Sequence, residues 1–245
     1  MGAKTGIEWT DATWNPIIGC SRVSEGCRNC YAEGIAGRFG QGKQTVYSGL
    51  TQIVNGRPVW TGKIVETRQL LQPLIWRQPK RVFVNSMSDL FHESVTDEQR
   101  DRIFAVMALC PQHTFQVLTK RPERMLKYFH DLNEDVDAIG RAVRVCMWVD
   151  TQVLKQIPTE EQFDALAQVP KGLPNVWLGV SVENQATADE RIPLLLQTPA
   201  AVRFISAEPL LGPVNLSSIR WETEGSGGPA FVDVCNGGPC QDLTP

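Results

Sequence analysis

Residues 81–89 read RVFVNSMSD, a short apolar run that ends in small polar residues, and this stretch gives the clearest indication of the fold. The run is nearly continuous rather than alternating, which is typical of a strand buried on both faces of a parallel sheet. A helix is expected next, at about 97–109, with Thr96 or Asp97 as its N-cap. The stretch therefore predicts one strand–helix unit of an α/β fold.

The same unit recurs along the middle of the chain. TFQVLTK at 114–120 precedes an expected helix at about 122–131, and NVWLGVSVE at 175–183 precedes one at about 185–197. VRFISAEP at 202–209 is a further run of the same kind. Strands that alternate with helices predict a parallel sheet with right-handed crossovers and helices on the outside.

The amino-terminal part predicts a strand near Trp14 to Ile18 and a helix from about Tyr31 to Phe39. An insertion follows at about 41–64, in which Asn55-Gly56 lies between apolar flanks. That dipeptide is a strong β-hairpin signal, because both residues tolerate the left-handed backbone of a tight turn. We therefore expect one β-hairpin insertion in the fold.

Three further segments complete the outline of the chain. A helix is expected at about 66–77, although Pro73 should bend it or end it early. Helical patches at about 133–172 predict an elaboration between two strands, and the Gly- and Pro-rich stretch 216–245 is interpreted as an irregular tail. The main domain is thus expected to span residues 1–215.

Composition limits the class of protein. The chain has 245 residues, of which 42% are hydrophobic and 21% charged, as in ordinary globular proteins. A net charge of −3 argues against strong unaided binding to DNA, which normally needs a basic surface. With neither a leader-like start nor a long apolar run, we expect a cytoplasmic protein without membrane contact, in which thiols stay reduced.

The residues GCSRVSEGCRNCY at 19–31 place Cys20, Cys27 and Cys30 within one short loop. Thiolates this close can bind one metal centre. An iron–sulfur cube usually takes one thiolate on each iron, so three thiolates leave one iron open. In radical SAM enzymes an open iron of this kind chelates S-adenosylmethionine, and an electron from the cluster breaks its C–S bond.

A zinc site is the competing interpretation of the cysteines. Structural zinc takes four ligands in a closed tetrahedron, and Cys27 and Cys30 could join Cys235 and Cys240 in such a site, with Cys20 left over. The chain would then be a zinc-stabilised binding protein. An iron–sulfur protein without SAM chemistry is a third interpretation, and the spacing alone leaves all three open.

The sequence resembles a three-Cys-motif family of phage and bacterial proteins that is regarded as radical SAM-like, over about residues 7–215. The resemblance implies a partial (β/α) barrel of radical SAM type, a [4Fe–4S] cluster on Cys20, Cys27 and Cys30, and S-adenosylmethionine as cofactor. The cysteine spacing, C-x6-C-x2-C, is longer by three than the common radical SAM pattern. Five stretches carry the resemblance: WNPIIGCSRVSEGCRNCYAE, VFVNSMSDLFHE, FQVLTKRPERM, NVWLGVSVENQATADERIP and RFISAEPLLGPV.

Polar residues end the second and third of the central strands. Ser86, Ser88 and Asp89 follow the second strand, and in radical SAM proteins this strand end meets the methionyl amine. The resemblance therefore implies a ligand role for at least one of them. Lys120 and Arg121 follow the third strand, where a cation could hold a carboxylate or phosphate, or belong to a basic surface turn.

The next two strands end in the same way. Ser181 and Glu183 share one face of their strand, and Glu208 precedes Pro209 at the end of the following one. A carboxylate inside a barrel mouth needs a partner, which a ribose hydroxyl pair, Lys120 or Arg203 could supply. We expect these groups to help bind the cofactor at one rim, with a structural salt bridge as the alternative reading of Glu183.

Taken together, these features predict a radical SAM-like enzyme that abstracts hydrogen from a substrate. The substrate is expected to be a small molecule or nucleotide, or a nucleic-acid base that is presented exposed. An external electron donor is required. The family also continues into a further strand that this sequence lacks, so we expect either a truncated or divergent member or a barrel that a partner protein completes.

Overall fold

The structure is a computed structural model that describes residues 5–40, 45–134, 144–145, 148–149, 159–221, 230–233 and 238–239. In chain order its strands are β1 (Ala12–Trp14), β2 (Ile17–Ile18), β3 (Thr51–Val54), β4 (Arg57–Trp60), β5 (Val65–Glu66), β6 (Arg81–Val84), β7 (Thr114–Thr119), β8 (Val176–Ser181), β9 (Val202–Ser206), β10 (Ile219–Trp221), β11 (Ala230–Asp233) and β12 (Gly238–Pro239). Its α-helices are α1 (Tyr31–Gly40), α2 (Asp97–Ala108), α3 (Pro122–Glu134), α4 (Glu160–Ala167) and α5 (Gln185–Gln197).

A five-stranded sheet in the order β1-β6-β7-β8-β9 forms the centre of the fold, and every neighbouring pair is parallel. Each strand therefore lies beside the next one along the chain. The predicted mixed α/β class, with a parallel sheet and outer helices, is confirmed. Since parallel strands end at the same edge, their polar ends are brought to one side of the sheet.

The apolar runs form the core because alternate side chains of each strand face the helices. Helices α2, α3 and α5 cover this face and contribute Phe104, Met125 and Ile192 to the same hydrophobic cluster. Burying each of these side chains contributes roughly 1.5–3 kcal/mol. The fully buried strand residues on this face are Val82, Val84, Phe115, Val117, Leu178 and Val180.

Helix starts follow the capping signals in the sequence. The Thr96 hydroxyl accepts a hydrogen bond from the Gln99 N–H, and the Gln99 side chain accepts one from the Thr96 N–H, so α2 begins with a capping box. Asn184 caps α5 in the same manner with Thr187. The predicted helices at about 97–109, 122–131 and 185–197 are confirmed.

The predicted hairpin is β3–β4, and its turn residues Asn55 and Gly56 have φ angles of 49° and 76°. It packs on α1 around a second, smaller hydrophobic cluster that also contains Met87 from the end of β6. Cys20 and Cys30 lie partly buried against this cluster. The insertion therefore forms the apolar floor beneath the cysteine-bearing loop.

The helix expected at about 66–77 is wrong. Val65–Glu66 forms β5, which pairs antiparallel with β2, and only a single 3-10 turn is found at Gln72–Ile75. Pro73 lies inside that turn and offers no N–H for an α-helical ladder. The first expected strand is also divided into β1 and β2, with Pro16 between them.

The tail expected to be irregular contains regular structure. Strands β10, β11 and β12 form an antiparallel sheet, and Ile219 is fully buried in the main core.

Within the elaboration expected at about 133–172, α4 and the end of α3 are helical. Cys146, Cys235 and Cys240 lie outside the described residues. No helix of the described part is long and apolar enough to cross a membrane.

Candidate cofactor site

A cavity of about 370 Å³ opens at the carboxyl edge of the parallel sheet. That volume is within the range of small-molecule sites. All the residues that were predicted from the sequence to bind the metal or the cofactor line this cavity, except Glu183. The candidate residues that line the cavity are Cys20, Cys27, Cys30, Ser86, Ser88, Asp89, Lys120, Arg121, Ser181 and Glu208.

The three cysteines reach the cavity from one continuous loop. Cys20 follows β2 through Gly19, whose φ of +97° turns the chain and whose N–H donates to the Met87 carbonyl at 3.0 Å. Cys27 lies in a short 3-10 helix, and Cys30 directly precedes α1. All three are free thiols and partly exposed. The loop thus presents three sulfur donors at one mouth.

The Cys20 thiol is surrounded largely by protein. Burial, and to a smaller degree the Asp89 charge, raise the pKa of Cys20 to about 12, although Arg121 opposes the shift. The Arg121 Nη1 donates to the Cys20 Sγ at 3.8 Å. A metal that bound this thiol would have to displace its proton.

Glu183 does not line the cavity, and its contacts are those of the alternative reading, a structural salt bridge. Its side chain is 1% exposed and forms an ion pair with Lys120. The Ser24 hydroxyl donates to Oε1 at 2.6 Å and the Gly26 N–H donates to Oε2 at 3.0 Å. The carboxylate therefore anchors the cysteine loop to the end of β8, and Lys120 is its counter-ion.

The electrostatics of Glu183 follow from these contacts. Burial alone would raise the pKa of Glu183, but the hydrogen bonds from Lys120, Ser24 and the Gly26 N–H outweigh it and lower the pKa to about 2. The Arg191 guanidinium is a second cation beside Glu183, at 3.6 Å from Oε1. Glu183 is consequently ionised at neutral pH and holds the loop by charge-assisted hydrogen bonds.

Gly26 is required at its position by this close approach. A Cβ on residue 26 would lie 2.5 Å from the Glu183 Cδ, inside any normal contact distance. The glycine between Cys20 and Cys27 therefore admits the carboxylate to the backbone of the loop. Gly26 is visible in the cysteine motif of the sequence, but its contact with a partner 157 residues away was not predictable.

Asp89 lines the cavity, and its carboxylate is occupied by the protein. The Thr119 hydroxyl donates to Oδ1 at 2.7 Å, the Lys120 N–H donates to Oδ2 at 3.1 Å, and Arg121 pairs with Oδ2 at 3.1 Å. The Phe91 N–H donates to Oδ1 as well. Asp89 thus joins the ends of β6 and β7, which makes it a structural centre of the rim.

Ser86 and Ser88 join the end of β6 to the first strands. The Ser86 hydroxyl donates to the Asn15 side-chain oxygen at 3.1 Å, and the Ser88 hydroxyl donates to the Ile17 carbonyl at 2.8 Å. Each hydroxyl uses its proton in these bonds and keeps lone pairs as acceptors. Both residues line the cavity, so they can accept hydrogen bonds from an ammonium group.

Aromatic side chains form an apolar wall that sequence reasoning did not assign to the site. Trp9 and Phe83 lie against each other with ring centroids 4.8 Å apart, and both line the cavity with Leu118. Tyr31 also lines it and donates its hydroxyl to the Ser86 carbonyl at 2.8 Å. Phe83 lies between the buried Val82 and Val84 in its strand, so its side chain faces the opposite side of the sheet. This alternation was the sequence signal that could have assigned Phe83 to the cavity.

The sequence left the role of Arg121 open. It is buried, contrary to the reading as a basic surface turn, and it pairs with Asp89 and Glu93.

Within the ranges that the structure describes, no three His, Cys, Asp or Glu side chains are grouped to hold a single metal ion. In a cube each thiolate binds a different iron, whereas zinc needs its sulfurs at about 2.3 Å from one point.

One family model matches the chain over residues 4–231, and its description is "Protein of unknown function (DUF5131)". No curated protein and no solved structure matches the chain. The match covers the central sheet, the cysteine loop and the whole rim of the cavity. The chain therefore belongs to the DUF5131 family of proteins of unknown function.

Proposed function

We propose that the chain is a radical SAM-like [4Fe–4S] enzyme. The observation that carries the proposal is the shared cavity: three free thiols from one loop line it together with polar groups from the ends of successive parallel strands. The thiols supply ligands for iron, and the strand ends supply hydrogen-bonding groups for a small polar cofactor. Sites of this composition lie at the carboxyl ends of strands in barrel-like α/β folds.

The residues fit the donor set of such a cluster. Cys20, Cys27 and Cys30 would each hold one iron, which leaves a fourth iron for S-adenosylmethionine. Cys20 and Cys30 pack on apolar side chains, which favours an iron–sulfur cluster that is buried rather than hydrated. When bound, the cluster and S-adenosylmethionine supply one-electron cleavage of the sulfonium C–S bond and hydrogen abstraction from a substrate.

The chain's own residues would position and shield the cofactor. Ser86 and Ser88 offer acceptor lone pairs to the methionyl ammonium, and the exposed Glu208 carboxylate can accept from the same group or from ribose hydroxyls. Trp9 and Phe83 supply an apolar wall that excludes water from one side. Glu183, paired with Lys120, holds the cysteine loop at the rim through its hydrogen bonds from Ser24 and Gly26.

In this proposal the five-stranded sheet is part of a partial (β/α) barrel. The strand order follows the chain, and the helices α2, α3 and α5 cover one face, as barrel units require. The cavity lies at the catalytic end of such a barrel. The substrate would be a small molecule, a nucleotide or an exposed nucleic-acid base, and an external donor would supply the electron.

The test is reductive cleavage of S-adenosylmethionine by the full chain. The protein is reconstituted without oxygen with iron and sulfide, reduced with dithionite, and incubated with S-adenosylmethionine. We expect 5′-deoxyadenosine by liquid chromatography and mass spectrometry, above the amount from the same protein before reconstitution. Four irons with acid-labile sulfide but no product would leave an iron–sulfur protein without SAM chemistry. One zinc per chain and no cluster would indicate the zinc-stabilised binding protein instead.

A further inference from the structure

Arg121 lies at a junction between the cysteine loop and the ends of two strands. Arg121 lies two residues after the end of β7, and its side chain is 6% exposed. The Nη1 donates to Cys20 Sγ at 3.8 Å, and the Nη2 donates to the Ser21 hydroxyl at 2.7 Å and to the Ser21 carbonyl at 3.1 Å. A single side chain therefore contacts a nominated metal ligand and the residue next to it.

Two carboxylates also hold the guanidinium in place. Its Nη1 also donates to the Asp89 Oδ2 at 3.1 Å, and its Nε donates to the Glu93 Oε2 at 3.1 Å. Glu93 in turn accepts from the Ser21 hydroxyl at 2.7 Å. A planar guanidinium held at three edges cannot swing away from the sulfur, so the contact with Cys20 is part of the built geometry.

A purely structural role would not require this arrangement. Burying a guanidinium is costly, and the Asp89 carboxylate alone could compensate its charge. Here the same nitrogen that pairs with Asp89 also faces the sulfur, and the neighbouring nitrogen holds the backbone carbonyl of Ser21. Hydrogen bonds and positive charge at a ligating sulfur are known levers on the reduction potential of an iron–sulfur cluster.

We propose that Arg121 is a positioning residue that raises the reduction potential of the cluster by donating a hydrogen bond to the Cys20 sulfur. This inference rests on the proposed function, since it needs a cluster on Cys20. Adding an electron makes the cluster more negative, and a fixed guanidinium stabilises the added charge. Removing Arg121 therefore lowers the midpoint potential, even where the cluster still assembles.

The test compares the midpoint reduction potentials of the clusters in reconstituted proteins. Each potential is measured in an anaerobic redox titration that follows the electron paramagnetic resonance signal of the reduced cluster. Arg121→Met removes the charge and every donor while keeping a long side chain. Arg121→Lys keeps the charge beside Asp89 but cannot reach Asp89, Ser21 and Cys20 together. Arg124→Met is the matched control, because the Arg124 Nε donates to the Phe91 carbonyl at 2.9 Å rather than to a cysteine.

We expect a more negative midpoint for Arg121→Met than for the unchanged chain, a smaller shift of the same sign for Arg121→Lys, and none for Arg124→Met. If Arg121→Met does not fold, the Arg121→Lys shift decides alone. Unchanged potentials in both Arg121 variants at full iron content overturn the inference and leave the proposed function standing. An unchanged chain that takes up no iron overturns both, whereas the expected shifts without cleavage of S-adenosylmethionine support the inference and count against the enzyme.

Discussion

The Gly26 N–H donates a 3.0 Å hydrogen bond to the Glu183 carboxylate, so the cysteine loop near the amino terminus is fixed to the end of the fourth central strand. The contact joins residues 157 positions apart. It places Cys27 next to the rim that carries Lys120 and Ser181. The position of the sulfur donors therefore depends on a carboxylate that does not itself face the cavity.

Substitution of Gly26 tests that anchor directly. In Gly26→Ala the new methyl group would lie 2.5 Å from the Glu183 Cδ, so either the loop or the carboxylate must move. We expect a loss of about 1–3 kcal/mol in the free energy of unfolding, as for other overpacked sites, and reduced iron incorporation. Chemical denaturation and iron analysis after reconstitution measure the two effects.

Gly34→Ala is the control for that substitution. Gly34 is exposed within α1, and a Cβ there would meet no atom within 4 Å. A helical Gly→Ala change of this kind should stabilise by about 0.5–1 kcal/mol and leave iron incorporation unchanged. Equal effects of the two substitutions would show that the Gly26–Glu183 approach has no special importance.

The acid sensitivity of the fold should depend on Glu183. Its folded pKa of about 2 lies below the ordinary value of 4.5, so its stabilisation is fully present above about pH 4.5 and is lost as the pH falls towards 2. Glu183→Gln should therefore be less stable than the unchanged chain at pH 7, by an amount on the order of 2–3 kcal/mol. That difference should shrink as the pH is lowered from 5 to 3.

Urea unfolding of both proteins at several pH values measures the difference. Glu190→Gln serves as the control, because Glu190 is exposed on the outer helix α5 and should change stability little at any pH. Parallel stability curves for Glu183→Gln and the unchanged chain would contradict the assigned role of the carboxylate.

The cysteines should divide into two groups when they are replaced. Cys20→Ala, Cys27→Ala and Cys30→Ala each remove one of the thiols that line the cavity, so each should lose most of the iron bound after reconstitution. Cys110→Ala provides the matched control, since Cys110 is fully buried in the main core and far from this loop in sequence. Full iron content in any of the first three variants would remove that residue from the ligand set.

Glu208 should contribute to cofactor affinity without affecting the cluster. Its carboxylate lies at the cavity, and a hydrogen bond to a charged partner contributes about 1.5–3 kcal/mol. Glu208→Gln should therefore weaken S-adenosylmethionine binding at least about tenfold at unchanged iron content. Isothermal titration of the reconstituted protein measures the affinity, with Glu161→Gln on α4 as the control. An unchanged affinity would exclude Glu208 from the binding site.

Local signals in the sequence were sufficient to predict the parallel sheet and the helices that follow its strands. The apolar runs at 81–89, 114–120 and 175–183 gave the central strands, and Thr96 marked the start of a helix through its capping box. The helix expected at about 66–77 failed because Pro73 has no N–H for a helical ladder, and the segment forms only a single 3-10 turn. The carboxy-terminal strands were missed because Gly and Pro obscured any period.

The sequence could predict that polar strand ends lie near the cysteine loop, but not how these residues contact one another, and their role in binding a cofactor stays a prediction. A parallel sheet brings polar strand ends to one edge, so Ser86, Ser88 and Glu208 could be grouped with the cysteines from sequence. The pairing of Glu183 with Gly26 and the burial of Arg121 against Cys20 depend on the tertiary path of the loop. No periodicity or spacing rule encodes such contacts between distant residues.

The most direct test of the central claim is electron paramagnetic resonance of the reduced, anaerobically reconstituted chain, recorded with and without S-adenosylmethionine. Three cysteine ligands leave one iron open, so we expect a [4Fe–4S]⁺ signal whose g-values change when S-adenosylmethionine is added. A cluster whose spectrum stays the same at saturating S-adenosylmethionine, or a chain that binds no cluster at all, would contradict the account.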